Sequence, residues 1–296
     1  MPYVAAFKRQ ASTSRIPLVG PAYDDSSDVW RDRYLEPFVH GIGVTSLGII
    51  TLHEYPTYTC GGNMVTIAQL LAPSLVAGYK REASGWVNVA ARFGLPLELG
   101  ETNSTACGGQ DGVDNVFAAT AWGLDWLFAN AQLGMRRINY HMDDAYYSAV
   151  FVRTSRQAGK VVYHDTVAPL YYAMYAFSTA EGGTLLRTEI VSQANITAYS
   201  IRDAAGGVRV FVINKDLHAA GRVSIHLSAP RGSGSLLLIE APRLSSRELS
   251  YGRTSFDNET GRLRRAPVRL RITPDGQNNY DFTLDNASIA VITIPD

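Results

Sequence analysis

Apolar runs and helical repeats alternate along the first 180 residues of the chain. Continuous apolar stretches rich in β-branched residues predict buried strands, because a strand covered on both faces shows no alternation. The predicted strands lie within RIPLVGPAY (15–23), LGIITLHEY (47–55), LPLELGE (95–101), RRINYHM (136–142) and KVVYHD (160–165). Apolar residues at helical spacing separate them, in 30–43 (interrupted at Pro37), 64–80, 113–134 (closed by Gly134) and 167–180. Strand and helix in alternation predict a parallel sheet with helices outside it.

The pattern changes after Gly182 and Gly183. Short strands now follow one another with turns between them and with no helical repeat, which is typical of an antiparallel β-sandwich. They are VRVFVINKD (208–216), GRVSIHLSA (221–229), GSLLLIEAP (234–242), VRLRITPD (268–275) and SIAVITIPD (288–296). We therefore expect two domains, an α/β domain over residues 1–181 and a β-sandwich over 182–296.

Composition and charge exclude several classes of protein for this chain. Of 296 residues, 46% are hydrophobic and 18% charged, which indicates a globular chain. Lys plus Arg and Asp plus Glu are 27 each, and this balance argues against nucleic acid as a partner. The chain has no apolar run of about 18 residues, so no membrane-spanning helix is predicted. The first residues also show no signal-peptide pattern.

The two cysteines, Cys60 and Cys107, each precede a Gly-Gly pair. They are either two free core thiols or one disulfide that clamps two loops together. We carry the disulfide forward as the prediction. It would imply an oxidising compartment, and the four Asn-X-Ser/Thr sequences of the chain are compatible with secretion.

Polar groups close three of the predicted strands: His53-Glu54-Tyr55, Glu101-Thr102-Asn103 and Asn139-Tyr140-His141. In a (β/α) barrel the carboxyl ends of the strands build the active site, so Glu101 becomes a candidate catalytic carboxylate. The alternative is that these residues only cap strand ends. No HExxH, GxSxG, GxGxxG or Walker sequence occurs, so we expect no metal and no nucleotide cofactor.

One stretch resembles a known family. LGETNSTACGG (99–109), followed by GVDNVFAATAWGLDWLFANAQLGM (112–135), is similar to family 79 of the glycoside hydrolases, the β-glucuronidase and heparanase family. The resemblance is specific over 95–142. It implies a glycan substrate and a retaining mechanism, in which one carboxylate attacks the anomeric carbon and a second carboxylic acid protonates the leaving oxygen. Both roles belong to carboxylates, so no cofactor is implied.

The resemblance also assigns residues. Glu101 matches the nucleophile and Tyr55 the tyrosine beside it. Gly108 matches a glycine loop whose backbone amides hold a uronic-acid carboxylate. His141 and Tyr163 fall near substrate-contact positions, and His53 on the neighbouring strand end joins the expected substrate-binding residues. Where the family has a tyrosine before the glycines this chain has Ala106-Cys107, which fits a disulfide instead.

The family's acid/base glutamate sits in an Asn-Glu-Pro sequence, which this chain lacks. Residues 1–180 account for about four βα units. We therefore expect the C-terminal half of a (β/α)8 barrel followed by the sandwich, with the missing N-terminal half-barrel as a possible partner and an extracellular location for the full-length form. Glu54, Asp143 and Asp144 are the alternative acids. The competing hypothesis is a catalytically inactive or truncated glycosidase-like protein that binds glycans.

Overall fold

The computed structural model describes residues 2–13, 17–24, 34–229 and 231–296. The first six strands are β1 (Leu18–Asp24), β2 (Leu47–Glu54), β3 (Thr57–Tyr58), β4 (Leu97–Thr102), β5 (Thr105–Ala106) and β6 (Ile138–Tyr140). Four of them form one sheet in the order β1-β2-β4-β6, and every neighbouring pair is parallel. Their carboxyl ends therefore meet at one edge, as the sequence predicts.

In the described residues the α-helices are α1 (Pro2–Thr13), α2 (Glu36–Ile42), α3 (Ile67–Leu70), α4 (Pro73–Phe93), α5 (Phe117–Leu133) and α6 (Pro169–Ser178). Helix α5 is buried over nearly its whole length, because apolar side chains surround its axis. It ends at Gly134 with φ of 77°, the left-handed cap that the sequence predicts. Helix α1 has no counterpart among the sequence-based expectations. No helix in the described part of the chain is long and apolar enough to cross a membrane.

Two expectations need correction. KVVYHD (160–165) is not a further strand of the parallel sheet but part of a hairpin, in which β7 (Val150–Gln157) pairs antiparallel with β8 (Lys160–Val167). Ala158 and Gly159 both have positive φ, which gives the tight turn that such hairpins favour. Pro37 does not interrupt a helix but lies in the first turn of α2, where it needs no N–H partner. Residues 30–33 of the expected helix lie outside the described residues.

The second part is an antiparallel region. Its strands are β9 (Thr184–Leu186), β10 (Ile196–Arg202), β11 (Val208–Asn214), β12 (Gly221–His226), β13 (Gly234–Glu240), β14 (Ser250–Tyr251), β15 (Leu270–Ile272), β16 (Asn279–Leu284) and β17 (Ser288–Ile294). Seven form one sheet in the order β14-β13-β17-β11-β10-β9, with β15 also on β13. Strands β12 and β16 form a separate ribbon.

The seven-stranded sheet has a core on each face, because its buried side chains alternate. Phe211 and Ile213 belong to the larger core, together with residues of α5 and α6. Val210 and Val212 belong to a second core, which includes Tyr280 of the ribbon. Helix α6 ends at Ser178 and β9 begins at Thr184, so the predicted domain boundary falls in this connection and stays a prediction.

The described residues form no closed barrel. Strands β1 and β6 stand at the two edges of the four-stranded sheet. A helix follows each of the first three parallel strands before the next strand of this sheet, whereas the β7–β8 hairpin lies between β6 and α6. The half-barrel itself stays a prediction.

Candidate active site

Glu101 lies at the carboxyl end of β4, beside an irregularity in the sheet. The pairing of β2 with β4 runs Leu52 to Leu99 and then His53 to Glu101, so Gly100 is an extra residue. Any Cβ at position 100 would clash with the hydroxyl of Thr51, so only glycine fits there. The bulge therefore brings His53 and Glu101 side by side, and bulges are known to redirect side chains near active sites.

Two side chains contact the Glu101 carboxylate. The Tyr55 hydroxyl donates a hydrogen bond to Oε1 at 2.7 Å. His53 Nδ1 lies 3.6 Å from Oε2, an ion pair when the imidazole is protonated. One third of the Glu101 side chain is exposed (33%), so the carboxylate is both oriented and accessible. Tyr55 and His53 were both expected at this site.

Burial, and then the hydrogen bond to Glu101, raise the pKa of Tyr55 far above its usual value. Both effects disfavour a phenolate, because it would be poorly solvated and would face a carboxylate. Tyr55 therefore keeps its proton and acts as a permanent donor to Glu101.

The glycine loop after β5 (Cys107–Gln110) is fixed on two sides. A disulfide joins Cys107 to Cys60 with Cα atoms 5.4 Å apart, inside the range for such bonds. Asp114 is buried and accepts hydrogen bonds from Thr105 Oγ1 at 2.9 Å and from the Gln110 N–H at 2.6 Å. Burial raises the pKa of Asp114, against the lowering effect of its hydrogen bonds.

Within this loop Gly108 and Gly109 have φ of 89° and 76°, values that side chains rarely adopt. A Cβ on Gly109 would also lie 3.2 Å from the ring of Tyr147 and 3.3 Å from Asp114 Oδ2. The carbonyl of Gly108 accepts a hydrogen bond from the Tyr146 N–H at 2.9 Å. The loop is thus tied to the segment that follows β6.

Tyr147 extends the site on the side of β6. Its hydroxyl lies 2.9 Å from His141 Nδ1, and its ring lies 6.3 Å from that of Tyr55. Asn103 supports this arrangement, because its amide donates to the carbonyls of His141 at 2.9 Å and Tyr147 at 3.3 Å. Burial raises the pKa of Tyr147, followed by the charges of nearby Asp143 and Glu101.

The structure therefore gathers His53, Tyr55, Glu101 and His141 around one edge of the sheet, with the Gly108 loop beside them. Sequence reasoning missed Tyr147, which belongs to a loop without periodic pattern. Its only signal was the Tyr-Tyr pair soon after a polar strand end.

Tyr163 is a different case. It lies on β8 opposite Thr154, and 68% of it is exposed. Among the described residues no hydrogen bond or ring contact joins it to Glu101.

The three alternative acids hold other positions. Glu54 is buried, and its charge contributes to the raised pKa of Tyr79, a buried residue of α4. Since His53 faces Glu101, its neighbour Glu54 points to the opposite face of the strand. Asp143 Oδ1 accepts a hydrogen bond from the Ala145 N–H at 2.9 Å, so this carboxylate stabilises a turn. Asp144 lines a separate groove. In the described part of the chain no group of three His, Cys, Asp or Glu side chains is placed to hold a metal ion.

No known protein-family profile matches the chain. A β-glucuronidase from Neurospora crassa is 27% identical over 129 residues, which are 40% of this chain and 23% of that protein. The chain thus spans about a quarter of the length of this curated relative.

Solved structures show the fold. A 4-O-α-L-rhamnosyl-β-D-glucuronidase from Fusarium oxysporum superposes with a TM-score of 0.77 at 16% identity, over 98% of this chain and 64% of that one. An α-L-arabinofuranosidase from Thermotoga maritima gives 0.67 at 15% identity, over 100% and 62%. A family 51 arabinofuranosidase from Xanthomonas axonopodis gives 0.67 at 12% identity, over 99% and 62%. The chain is glycoside-hydrolase-like in fold, and it spans less than two thirds of each of these proteins.

Proposed function

We propose that the chain is the nucleophile-bearing part of a retaining glycoside hydrolase of the β-glucuronidase type, related to family 79. The observation that carries this proposal is the accessible Glu101 carboxylate at a parallel strand end, with the Tyr55 hydroxyl 2.7 Å from Oε1. Retaining glycosidases place their nucleophile in this way to attack the anomeric carbon. The likeness to a β-glucuronidase and to glycoside hydrolase structures supports the same class.

In this mechanism Glu101 attacks the anomeric carbon while the bond to the leaving oxygen breaks. A second carboxylic acid gives its proton to that oxygen, and water later releases the sugar from Glu101. The Tyr55 hydrogen bond holds Oε1, and Oε2, which has His53 Nδ1 3.6 Å away, is the oxygen proposed to attack. Because Tyr55 stays protonated, it stabilises the Glu101 carboxylate as a hydrogen-bond donor and does not take up the proton that the second carboxylic acid gives to the leaving oxygen.

The acid is proposed to come from a further segment that completes the barrel. Glu54 points away from Glu101, and Asp143 is engaged in a turn. The four-stranded sheet has two edge strands, β1 and β6, that a further half-barrel would pair. Val19 of β1 is 45% exposed, which fits a surface that another layer covers.

The Gly108 loop is the proposed site for the carboxylate of a uronic acid, and His53 and His141 are proposed substrate contacts. Gly108 and Gly109 both have positive φ, and successive backbone N–H groups in turns form concavities that bind anions. Tyr163 would reach a bound glycan only beyond this first sugar. The Cys60–Cys107 disulfide supports an extracellular location.

Covalent trapping tests the proposal. A 2-deoxy-2-fluoro-β-glucuronosyl fluoride needs no acid for its leaving group, so the chain should form a stable adduct on Glu101, located by peptide mass spectrometry. Glu101→Gln should give no adduct, while the matched control Glu54→Gln should label like the parent chain. A label on another residue, or labelling that survives Glu101→Gln, would refute the assignment.

Turnover adds a second readout. Without general acid help, hydrolysis of a natural glycoside by this chain should fall by about 10²–10⁴-fold relative to a complete enzyme. A nitrophenyl glucuronide has a better leaving group and should retain a trace of turnover. Efficient cleavage of a natural glucuronide by the chain alone would show that Asp143, Asp144 or Glu54 supplies the acid.

A further inference from the structure

A second concave surface lies beside the glycine loop. This groove has a volume of about 860 Å³, and we call it the hairpin groove. It is defined by Asp111, Asn115, Tyr146, Phe151, Arg153 and Arg247, and the start of α6 closes its base. The β7–β8 hairpin forms one wall, and the loop before α5 forms the opposite one. The volume is in the range of small-ligand sites.

The polar side chains of one wall are already held in place. Asn115 Nδ2 donates to Asp111 Oδ1 at 2.7 Å, and Arg247 pairs with the same oxygen. The Gly112 N–H in turn donates to Asn115 Oδ1 at 2.8 Å. A preorganised set of donors and acceptors of this kind binds hydroxyl groups without first having to be ordered.

The groove adjoins the Glu101 site through two consecutive tyrosines. Tyr147 reaches toward His141 and Tyr55, whereas Tyr146 lines the groove and is 46% exposed. Between them the backbone is fixed, because the Tyr146 N–H donates to Gly108. Tyr146 thus belongs to the groove and is hydrogen-bonded to the glycine loop beside the Glu101 site.

The charges of the groove nearly balance. Arg153 and Arg247 line the groove together with Asp111 and Asp144, so the surface has no net attraction for a polyanion. Aromatic rings and paired polar groups together suit a hydroxyl-rich, uncharged ring, which offers an apolar face for stacking and many hydrogen-bonding groups.

We propose that the hairpin groove binds a neutral sugar unit of the same glycan whose uronic acid lies at Glu101. This inference rests on the proposed function, because it takes the glycan from that site. Tyr146 stacks on the sugar ring, while Arg153 binds its hydroxyl groups.

The test is calorimetric titration of the Glu101→Gln chain with glucuronic acid and with two disaccharides. One disaccharide carries galactose on the anomeric oxygen of glucuronic acid and the other carries rhamnose on its 4-oxygen, so that either direction of the glycan is sampled. At least one disaccharide should bind about five-fold or more tighter than glucuronic acid. Tyr146→Ala and Arg153→Ala should each remove about three- to ten-fold of that affinity.

Arg156→Ala is the matched control, because Arg156 is exposed on the same hairpin and does not line the groove; it should leave the gain intact. If neither disaccharide binds more tightly than glucuronic acid, or if the gain survives both Tyr146→Ala and Arg153→Ala, the inference is overturned. Arg153 is on the exposed hairpin, so its variant stays informative should Tyr146→Ala fail to fold.

Trapping separates the two proposals. An adduct on Glu101 without any disaccharide gain overturns the groove alone. A missing adduct overturns the proposed function and, with it, the assignment of the groove's ligand to the glycan held at Glu101.

Discussion

A buried ion pair fixes helix α5 to the antiparallel sheet, and its removal gives a sharp stability prediction. Lys215 Nζ lies 2.6 Å from Asp125 Oδ2, with side chains 3% and 0% exposed. Tyr199 donates to the other carboxylate oxygen at 2.6 Å. Asp125 belongs to α5, Tyr199 to β10, and Lys215 directly follows β11. The carboxylate is therefore satisfied only when helix and sheet are docked.

Lys215→Met keeps the length of the side chain but removes its charge. Asp125 then stays buried with the Tyr199 hydroxyl as its remaining described partner. Leaving one partner of a buried pair uncompensated typically costs about 3–5 kcal/mol. The double variant Lys215→Met/Asp125→Leu removes both charges and leaves only the Tyr199 hydroxyl unpaired, which costs about 1–3 kcal/mol. It should therefore be more stable than the single variant.

Urea unfolding followed by circular dichroism measures both changes as free energies of unfolding. Arg222→Met is the control, since the Arg222–Asp281 pair has the same 2.6 Å separation but its arginine is 75% exposed; stability should hardly change. A loss below about 1 kcal/mol for Lys215→Met, or a double variant less stable than the single one, would refute the reasoning, because the pair would then carry no buried charge.

Three further predictions concern Tyr55, the disulfide and a carboxylate of the antiparallel region. Tyr55→Phe removes the donor to Glu101 and should slow covalent labelling by about ten-fold or more, measured by mass spectrometry; an unchanged rate would contradict it. Replacing Cys60 and Cys107 by serine opens a loop closed over a separation of 47 residues and should cost up to about 4 kcal/mol in urea unfolding, whereas an unchanged midpoint would contradict it. Backbone N–H donors lower the pKa of Asp216 from 3.8 to about 2, so its contribution is complete above the unfolded value and is lost as the pH falls through about 2. The stability gap between the parent chain and Asp216→Asn should narrow over that interval, and a constant gap would argue against it.

The sequence predicted the parallel sheet because its strands are buried on both faces, and such strands leave a continuous apolar signature. The carboxyl ends then meet by topology alone, which placed His53, Tyr55, Glu101 and His141 together without any contact being known. Gly134 was predictable for a local reason, since a left-handed cap needs only the residue itself and the helix before it.

Features that depend on residues far apart in the chain were not predicted from the sequence. KVVYHD reads as a buried strand, yet its residues alternate on a partly exposed hairpin whose register depends on a two-residue turn. The burial of Lys215 depends on Asp125, a residue 90 positions earlier in the chain. Asp114 fixes the glycine loop only because that loop folds back over it. No periodic pattern records such pairings.

The residues that hold the glycine loop in place come from separate parts of the chain. Cys60, which follows β3, is joined to the loop by the disulfide. Asp114 accepts hydrogen bonds at both ends of the loop, and the N–H of Tyr146, which follows β6, donates to Gly108. Tyr55 orients Glu101 independently of all three. Under the proposed function, Glu101 and its surroundings are organised by residues of this chain, and the acid is the group proposed to come from a further segment. On that proposal, attack on a substrate with a good leaving group is separable from protonation, because only protonation needs the second carboxylic acid.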